Sequence, residues 1–563
     1  MRAIIIATFI LSIGFQSCTD EDLDVENINQ LALSSFYKTS EDALYATNVC
    51  YTSLASHGLY GCRWYFLFGS FEDRTLFETS AMDNISINSS NAYISHMHRD
   101  LYMGVWRTSH VLFNLQNIDI PGLDEKVKTD YMAQIRSLRA MYYFLLVTIF
   151  DKPVFYDETN LPVDAYEAYS NGEQTQFWDK LQEDLEFAIP ILSDKYPDEE
   201  TGRITSGAAR ALLGKALMYK HYYYYERGLG GSQDDLADLN LSREMLYDVM
   251  SSGNYNLTEP KGVTQLDYIN AVLCNTSYMD LPASDGSFYK SENNAESVWE
   301  VQYSDERVIF IDGDQWTPGG QWSGNMNFQW FYGHESSFKN HEAHPAMYFA
   351  FEDVTGHPAG FTKDPRTYAS LFIDGDRLHF VEGEEYYDKF YLSGLNNKRV
   401  AYSRGLNRPG QPSLGFGPKK YAYPMYNDKD APNNAPFNHR VIRLADVMLM
   451  YAEVMYLLGD DGSGLNALNA VRARVDMPAV DALTTEAIIH ERDVELAFEG
   501  FRYIDLIRWS FDPEWGINWD EIEWGINEAN SVNPFVVGKN EFLPIPLTEI
   551  NVNRGMQEQN PGW

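Results

Sequence analysis

The stretch RSLRAMYYFLLVTIFDKPVF (residues 136–155) decides the fold class, because its apolar residues recur at the spacing of an α-helix. Positions 138, 141, 142, 145, 146 and 149 are all apolar, so they form one wide stripe along such a helix. Pro153 ends the pattern, since proline cannot continue a helix. The spacing therefore predicts a long helix that packs one broad face against other helices.

The same periodicity occurs along much of the chain. RLADVMLMYAEVMYLLG (443–459) has apolar residues on all sides and predicts a helix buried nearly all round. Apolar stripes also occur at 41–54, 101–115, 176–192 and 206–225, and the tyrosine run that closes the last of these is expected to pack mainly in the core. Strand-type alternation is short and local. These patterns predict a mainly α protein in which helix pairs stack as a repeat array.

The periodicity fades between about residues 256 and 435 into a section rich in Gly, Pro, Asn and Asp. A long irregular section within an ordered domain is usually a functional loop. Its densest part, DGDQWTPGGQWSGNMNFQWFYGHE (312–335), carries several aromatic residues with few neighbouring helix signals to bury them. We expect a single domain that begins at residue 39, with a helical part to 255, an irregular ligand-binding insertion over 256–435, and a helical part with a tail over 436–563.

Composition narrows the class of partner. The 563 residues include 81 acidic and 43 basic side chains, which give a formal net charge of −38. Nucleic-acid binding relies on Lys and Arg replacing counterions, so this charge argues against nucleic acid as a partner. Cys50, Cys62 and Cys274 show no CxxC or zinc spacing, which leaves open either a Cys50–Cys62 disulfide or three inert thiols.

The N-terminus has the pattern of a secretory signal. MRAIIIATFIL (1–11) combines one cation with an apolar run of about ten residues, too short for the roughly 20 that span a bilayer. Ser17 followed by Cys18 predicts that residues 1–17 are removed and that the Cys18 thiol is acylated. Acidic residues from Asp20 onward then begin a polar tether that reaches to residue 38. An ordinary signal peptide with a chance cysteine is the alternative.

A series of motifs follows in the C-terminal third. After RLADVMLMYAEVMYLLG come LNALNAVRARVDMPAV (465–480), ERDVELAFEGFRYIDLIRW (491–509) and FLPIPLTEINVNRGMQEQNPGW (542–563). Together with residues 136–155, these motifs resemble those of the SusD/RagB family of outer-membrane nutrient-binding lipoproteins. The resemblance extends from the lipidation signal to the last residue and is weakest in the middle section. It implies about four tetratricopeptide-like helix pairs, with long irregular loop insertions that form the ligand-binding side.

The resemblance also implies a partner and a location. The family's partner is a TonB-dependent outer-membrane barrel of the SusC type, over which the lipoprotein sits as a hinged lid. The acidic residues directly after Cys18 resemble the signal that sends such lipoproteins to the outer face of the outer membrane. We therefore expect a lipid-anchored cell-surface protein with no cofactor.

Paired carboxylates in ERDVELAFEGFRYIDLIRW raise the possibility of catalysis. Treated as one helix, this segment places Glu491, Glu495, Glu499 and Arg502 on one face. Two carboxyl groups about 5 to 10 Å apart across a sugar can cleave a glycosidic bond. The neighbouring arginines favour structural ion pairs instead. We interpret these carboxylates as structural and expect no enzyme activity.

The segment GHESSFKNHEAHPAMYF (333–349) is the best candidate for metal binding. It brings together His334, Glu335, His341, Glu342 and His344. Its HEAH is one residue short of the HExxH of a zinc helix, and Pro345 interrupts the stretch. We interpret this cluster as polar loop residues and expect no metal.

Carbohydrate binding is better supported by the loops. One face of a pyranose ring is apolar and packs on an aromatic ring, whereas its hydroxyls need Asn, Asp, Gln or Arg. Candidates in the insertion are Trp316, Trp322, Trp330 and Tyr332. The family resemblance places further ligand contacts before the LYMGVW helix, which adds Arg74, Asp83, Asn88, Asn91 and Tyr93. Roughly half of the aromatic residues are expected to anchor the loops instead.

The sequence thus predicts a surface lipoprotein that binds oligosaccharide nutrients and delivers them to a SusC-like transporter. A peptide-binding member of the same family is one alternative. A surface glycoside hydrolase is another, and it would release shorter sugars from a glycan, whereas a binding protein would not.

Replacing the predicted lipidated residue tests the anchor. Cys18→Ala is expected to leave the fold intact and to release the protein from the membrane fraction, because acyl chains provide the predicted membrane attachment. Cell fractionation in a strain that lacks the partner barrel measures this. Retention of the Cys18→Ala protein in the membranes of that strain would contradict the prediction.

Overall fold

The computed structural model describes residues 36–77, 85, 87–161, 169–277, 280–303, 341–372, 377–382, 385–390, 417–421, 438–522, 535–553 and 556–563. Across these ranges, every helix is too short or too polar to traverse a bilayer. The helices are α1 (Ser40–Thr52), α2 (Arg63–Phe71), α3 (Ala92–Asn117), α4 (Glu125–Phe150), α5 (Gln174–Ala188), α6 (Ser206–Lys220), α7 (Ser232–Ser251), α8 (Gln265–Leu273), α9 (Pro345–Ala350), α10 (Arg366–Ser370), α11 (Leu444–Leu457), α12 (Asp461–Ala473), α13 (Thr485–Glu495), α14 (Arg502–Ser510) and α15 (Leu547–Val552).

The strands are short and form two-stranded antiparallel ladders. In chain order they are β1 (Thr75–Phe77), β2 (Leu281–Pro282), β3 (Phe288–Tyr289), β4 (Ser297–Val301), β5 (His341–Ala343), β6 (Leu371–Phe372), β7 (Arg377–Glu382), β8 (Glu385–Phe390), β9 (Gly417–Pro418) and β10 (His439–Arg443). The pairs are β1 with β5, β2 with β3, β4 with β10, β6 with β9, and β7 with β8. Most of these ladders join segments that are far apart in the sequence.

Helix α4 contains the stretch with the clearest periodicity. Asp124 caps its start, since the carboxylate accepts hydrogen bonds from the backbone N–H of Lys126 at 2.8 Å and of Val127 at 3.4 Å. It ends at Asp151, whose φ of 60° breaks the helix two residues before Pro153. Every residue from 137 to 150 is buried, so the second half of α4 is enclosed on all sides. The predicted helix is confirmed, and it is buried more completely than a single stripe requires.

Helices that follow one another in the chain pack side by side. Helix α3 packs on α4, α4 on α5, α6 on α7, and α11 on α12. Because α11 also packs on α7, the C-terminal helices continue the array that the N-terminal helices begin. The largest hydrophobic cluster accordingly includes Leu138, Leu212, Leu449 and Leu506. The mainly α fold with tetratricopeptide-like pairs is confirmed.

Helix α11 is buried except for Met448, Tyr456 and Leu457, as its sequence predicts. Its two buried acids are both paired. Asp446 accepts hydrogen bonds from Arg492 at 2.9 Å and from Lys215 at 3.3 Å. The apolar surface of α11 therefore fixes its depth in the core, while its carboxylates fix which helices lie beside it.

The expectation of one continuous helix over 491–509 is wrong. Helix α13 ends at Glu495, and α14 begins at Arg502. Between them, Phe498 has a φ of 63° and Gly500 a φ of 80°, conformations that end a helix. A Cβ at Gly500 would lie 2.6 Å from the indole nitrogen of Trp64, so the close approach of α2 also requires glycine there. Arg502 is therefore not on the face of the glutamates.

The interpretation of the three glutamates as structural is confirmed. Glu495 is fully buried and accepts hydrogen bonds from Arg443 at 2.7 Å, from Arg366 at 3.1 Å and from Arg474. Glu491 pairs with Arg366 and Arg472, and Glu499 pairs with Arg443 and Lys420. Burial alone would raise the pKa of the Glu495 carboxyl, but the surrounding cations hold the pKa well below its usual range. A general acid needs the opposite shift.

Of the two alternatives for the cysteines, a disulfide or three inert thiols, the structure shows the inert thiols. Cys50, Cys62 and Cys274 are free and buried. Burial raises the pKa of the Cys62 thiol to about 11 and that of Cys274 to about 12, so neither forms the reactive thiolate at neutral pH. A Cys50–Cys62 disulfide is not present.

Removing the Glu495 carboxylate tests how much this cluster of buried charges contributes to the stability of the fold. Glu495→Ala leaves several buried cations uncompensated and is expected to lower the free energy of unfolding by about 3–5 kcal/mol. Urea unfolding and thermal melting measure the loss, with Glu244→Ala on the exposed face of α7 as the matched control. Since the folded pKa lies below the unfolded value of 4.5, the contribution of Glu495 is present above about pH 4.5 and is lost as the pH falls through the folded pKa. Equal stabilities of the two variants would contradict this assignment.

Candidate ligand-binding site

The β1–β5 ladder brings together the two segments that carry the predicted ligand contacts. Thr75 lies opposite Ala343, and Phe77 lies opposite His341. Residues 78–84 leave the end of β1, and residues 304–340 lead into the start of β5. Because Phe77 and His341 are paired, both segments attach to the same end of one ladder.

Several predicted residues lie outside the described part of the chain. They are Cys18, Asp83, Trp316, Trp322, Trp330 and Tyr332, together with His334 and Glu335 of the histidine-rich segment. In that segment the Nδ1 of His344 accepts a hydrogen bond from the backbone N–H of Ala346 at 3.1 Å and caps α9. The ligand-binding role of the loop residues stays a prediction.

Arg74 is tied to the C-terminal helices. Its guanidinium donates to both carboxylate oxygens of Asp493 on α13, at 2.9 Å from Nε and 2.7 Å from Nη2 to the nearer oxygen. Its backbone carbonyl accepts a hydrogen bond from the N–H of His344 at 2.9 Å. Arg74 therefore fastens the β1–β5 ladder to α13, and a ligand would meet a guanidinium that is already paired.

A second arginine–carboxylate pair lies beside the first. Arg502 at the start of α14 binds both oxygens of Asp73, at 2.9 and 3.0 Å. Burial alone would raise the pKa of the Asp73 carboxyl, but the Arg502 and Arg74 guanidinium groups hold it below its usual range. We call Asp73, Arg74, Asp493 and Arg502 the charged floor of the candidate site. Sequence periodicity gives no sign of it, because its members come from distant segments.

Glu72 lies next to this charged floor. It is only 3% exposed, and within the described ranges neither of its carboxylate oxygens has a hydrogen-bond partner. Burial, together with the nearby carboxylates of Asp73 and Asp493, raises the pKa of Glu72 well above 4.5 against the opposing effect of Arg502 and Arg74. The folded protein therefore holds a proton on Glu72 in a pH range where the unfolded chain would release it.

The predicted asparagines organise the start of α3. Asn91 is the N-cap, and its side-chain oxygen accepts hydrogen bonds from the N–H of Tyr93 at 2.9 Å and of Ile94 at 3.4 Å. The side-chain oxygen of Asn88 accepts one from the N–H of Ser90 at 2.9 Å and stabilises the turn before the helix. Asn88 is exposed.

Tyr93 is half-buried beside the wholly buried helix α2. The guanidinium of Arg63 lies over the Tyr93 ring at 4.0 Å from the centroid, and the Phe66 ring lies 5.1 Å away. These contacts fix the orientation of the tyrosine, and a cation over the ring face is itself favourable. Tyr93 thus stands as a pre-oriented ring near the start of α3.

A separate cavity of about 340 Å³ lies between α1, residues 199–203 and β4. Tyr51, Arg203, Trp299 and Gln302 line it. Its volume is within the range of small-molecule pockets. It includes none of the residues that the sequence predicts for ligand binding, and the Arg203 guanidinium already donates to Gln134 at 2.9 Å.

The stacked helix pairs define a helical-repeat protein. Residues 295–563 match the model of the SusD family, and residues 71–218 match a model described as "Starch-binding associating with outer membrane". The chain belongs to the SusD family.

Known relatives can be aligned with nearly the whole of this chain. SusD-like protein P25 of Formosa agariphila is 25% identical over 100% of this chain and 98% of its own length. The structure of a SusD homolog from Bacteroides thetaiotaomicron has a TM-score of 0.69 at 20% identity and covers 96% of this chain and 100% of its own. A laminarin-binding SusD-like protein has a TM-score of 0.66 at 22% identity and covers 94% and 100%. The structural matches confirm the fold.

Replacing Glu72 with glutamine, which has nearly the same shape and no charge, tests whether the Glu72 carboxyl is protonated in the fold. Glu72→Gln is expected to raise the free energy of unfolding by about 1–3 kcal/mol at neutral pH, because the wild type must take up a proton at Glu72 on folding and glutamine need not. The folded pKa is above the unfolded one, so the wild type loses stability as the pH rises above about 4.5. Melting curves at pH 4 and pH 8 should therefore show a gain only at the higher pH, with the exposed Glu244→Gln as control. A gain of equal size at both pH values would show that Glu72 is not protonated in the fold.

Proposed function

We propose that this protein is a cell-surface lipoprotein that binds oligosaccharides and passes them to a TonB-dependent, SusC-like outer-membrane transporter. The observation that carries the binding function is the pairing of Phe77 with His341, which attaches both candidate segments to one end of the β1–β5 ladder. Membership of the SusD family supports the same function.

Carbohydrate is the ligand class that the relatives favour. One structural neighbour is described as laminarin-binding, another as a surface glycan-binding protein, and one matching family model as starch-binding. The candidate segment 304–340 carries three tryptophans, which suit the apolar faces of sugar rings. The amide of the exposed residue Asn88 suits a sugar hydroxyl.

The ladder and the charged floor give the candidate segments a rigid base. Arg74 and Arg502 each bind a buried carboxylate with two hydrogen bonds, and these pairs join β1 to α13 and α14. Ligand-binding residues on a well-held base lose less conformational freedom when the ligand binds. This arrangement favours recognition by loops over chemistry within the helical array.

Attachment to the outer membrane follows from acylation of Cys18 in this proposal. Two or more acyl chains form a stable anchor, since each buried CH₂ contributes about 0.8 kcal/mol. The matching model described as "associating with outer membrane" supports this location. The SusC-like partner rests on the family resemblance of the motifs.

A binding screen of the chain against glycans and peptides decides between the carbohydrate ligand and the peptide alternative. Incubation with the bound glycan, followed by analysis of chain length, tests the hydrolase alternative. Unshortened glycan is the expected result, since Glu491, Glu495 and Glu499 are committed to cations in the core.

Trp322 is the sharpest single test of the proposed site. It lies in GGQWSGN, where glycines on both sides leave little bulk to bury an indole. Trp322→Ala is expected to weaken oligosaccharide binding by about 1–3 kcal/mol with little change in stability, as for loss of a central aromatic anchor. Calorimetry with the ligand from the screen and a melting curve on the same variant measure both effects.

The control is Trp106→Ala, which removes an indole that is 46% exposed on α3. A fall in melting temperature for Trp322→Ala would instead indicate that Trp322 packs on Trp316 or Trp330 to hold the loop. Full affinity at unchanged stability would contradict both roles and move the site toward Tyr93 and Asn91.

A further inference from the structure

A cluster of one histidine and two carboxylates lies where α6 passes into α7, a region that the proposed function does not use. The Nδ1 of His221 is 3.0 and 3.1 Å from the two carboxylate oxygens of Asp235. Its other ring nitrogen, Nε2, is 3.8 Å from Oε1 of Glu226. One ligand atom from each of the three residues lies within 4.8 Å of the others.

A π-helical turn, His221–Tyr225, assembles the first part of this cluster. The backbone N–H of Glu226 donates to the carbonyl of His221 at 2.9 Å, which is the i to i+5 bond of a π turn. With 3.6 residues per turn, an α-helix would direct residues five apart to different sides. The wider turn brings His221 and Glu226 to the same side, and such turns occur frequently at functional sites. Asp235 joins them from the first turn of α7.

The hydrogen bonds fix the tautomer of the histidine. An ionised Asp235 can only accept, so Nδ1 of His221 must carry the proton that it donates. In a neutral ring, Nε2 then carries a lone pair. His221 is only 6% exposed, and among the described residues Nε2 has no hydrogen-bond partner. A buried lone pair thus faces the carboxylate of Glu226, an arrangement that a cation between them would stabilise.

The charge around the cluster is negative. The carboxylates of Asp512, Asp235 and Glu514 all act on the Glu226 carboxyl and make the local field negative. The two basic residues next to His221 and Glu226 in the sequence are already paired with other carboxylates. Lys220 pairs with Asp238 at 2.8 Å, and Arg227 pairs with Asp151 at 2.7 Å.

We infer that His221, Glu226 and Asp235 form a binding site for a divalent transition-metal cation such as Zn²⁺. The Nε2 of His221 and the carboxylate of Glu226 are the ligands, and Asp235 orients the imidazole through Nδ1, as a carboxylate does behind many metal-bound histidines. Two ligand atoms 3.8 Å apart suit one ion at the roughly 2.0–2.2 Å of zinc–ligand bonds. The imidazole selects zinc, copper or nickel over calcium and magnesium, which prefer oxygen ligands alone.

A bound ion would join the two ends of the π turn, because His221 begins the turn and Glu226 directly follows it. It would also neutralise part of the local negative charge. The role is structural and separate from the candidate sugar site on the β1–β5 ladder. Failure of the metal site therefore leaves the proposed function untouched.

Titration of the chelator-stripped full chain with zinc sulfate tests the proposal. Calorimetry is expected to show one equivalent of Zn²⁺ whose affinity falls at least tenfold in Glu226→Gln and about 10- to 100-fold in Asp235→Asn. Asp234→Asn is the matched control, since Asp234 is exposed and precedes Asp235 in the same helical turn. It is expected to bind as the wild type does. Any zinc bound elsewhere on the chain is common to all four proteins, so the differences between their titrations report on this cluster.

Glu226 is the first choice for substitution because its side chain is 33% exposed and glutamine has the same size. A second measurement is the melting temperature with and without zinc, because binding to the folded state alone raises it. The wild type should show the rise, and Glu226→Gln should not. An equal zinc affinity or an equal rise in the two proteins would overturn the site.

Discussion

The pairing of buried arginines with buried glutamates in the C-terminal half is the constraint on which the rest of the structure depends. Arg443 is the last residue of β10, Arg474 follows α12, and both reach Glu495 at the end of α13. Glu296, just before β4, pairs with the same two arginines. Each of these charges would be strongly unfavourable alone in the core, so each requires its partners at hydrogen-bond distance. Apolar packing tolerates small shifts between helices, whereas this network does not.

The network also determines how the candidate site is held. Alternate residues of α13 point in different directions, so Glu491 and Glu495 face the buried arginines while Asp493 reaches Arg74 next to β1. The break after α13 then reverses the chain and presents Arg502 to Asp73. One helix thus connects the core of the helical array to the strand ladder from which the candidate segments leave. A change in the tilt of α13 would disturb both sets of ion pairs together.

The sequence predicted those parts of the fold that depend on residues close to each other in the chain. The burial of α4 and α11 follows from apolar residues that lie within a few turns of each other. The break between α13 and α14 could not be predicted in this way, because Gly500 is required by Trp64, more than 400 residues earlier in the chain. The π turn at His221 likewise interrupts a tyrosine run whose composition fits an ordinary helix, although its first two tyrosines are buried as expected.

The candidate site likewise combines residues that the sequence predicted with contacts that it could not predict. The sequence named Arg74, Asn88, Asn91 and Tyr93 as ligand contacts. In the structure Arg74 ties the start of β1 to α13, whereas the two asparagines stabilise the start of α3 and Tyr93 lies beneath the Arg63 guanidinium. The partner of Arg74 is Asp493, 419 positions away, a separation that periodicity does not reach. The tryptophan-rich segment could be recognised only by composition, because irregular loops lack a repeating pattern from which a structure can be derived.

The acidity of the chain constrains how the proposed ligand is recognised. A net charge of −38 repels anionic ligands over a range of roughly 8 Å at physiological salt, whereas a neutral oligosaccharide experiences no such force. Attraction to a neutral sugar must then come from short-range contacts, namely stacking on aromatic rings and hydrogen bonds from amides. Such contacts act only when the groups are already in position. On the proposed function, the buried guanidinium–carboxylate pairs neutralise one another beside the ladder, so the short-range contacts are assigned to the segments attached to it.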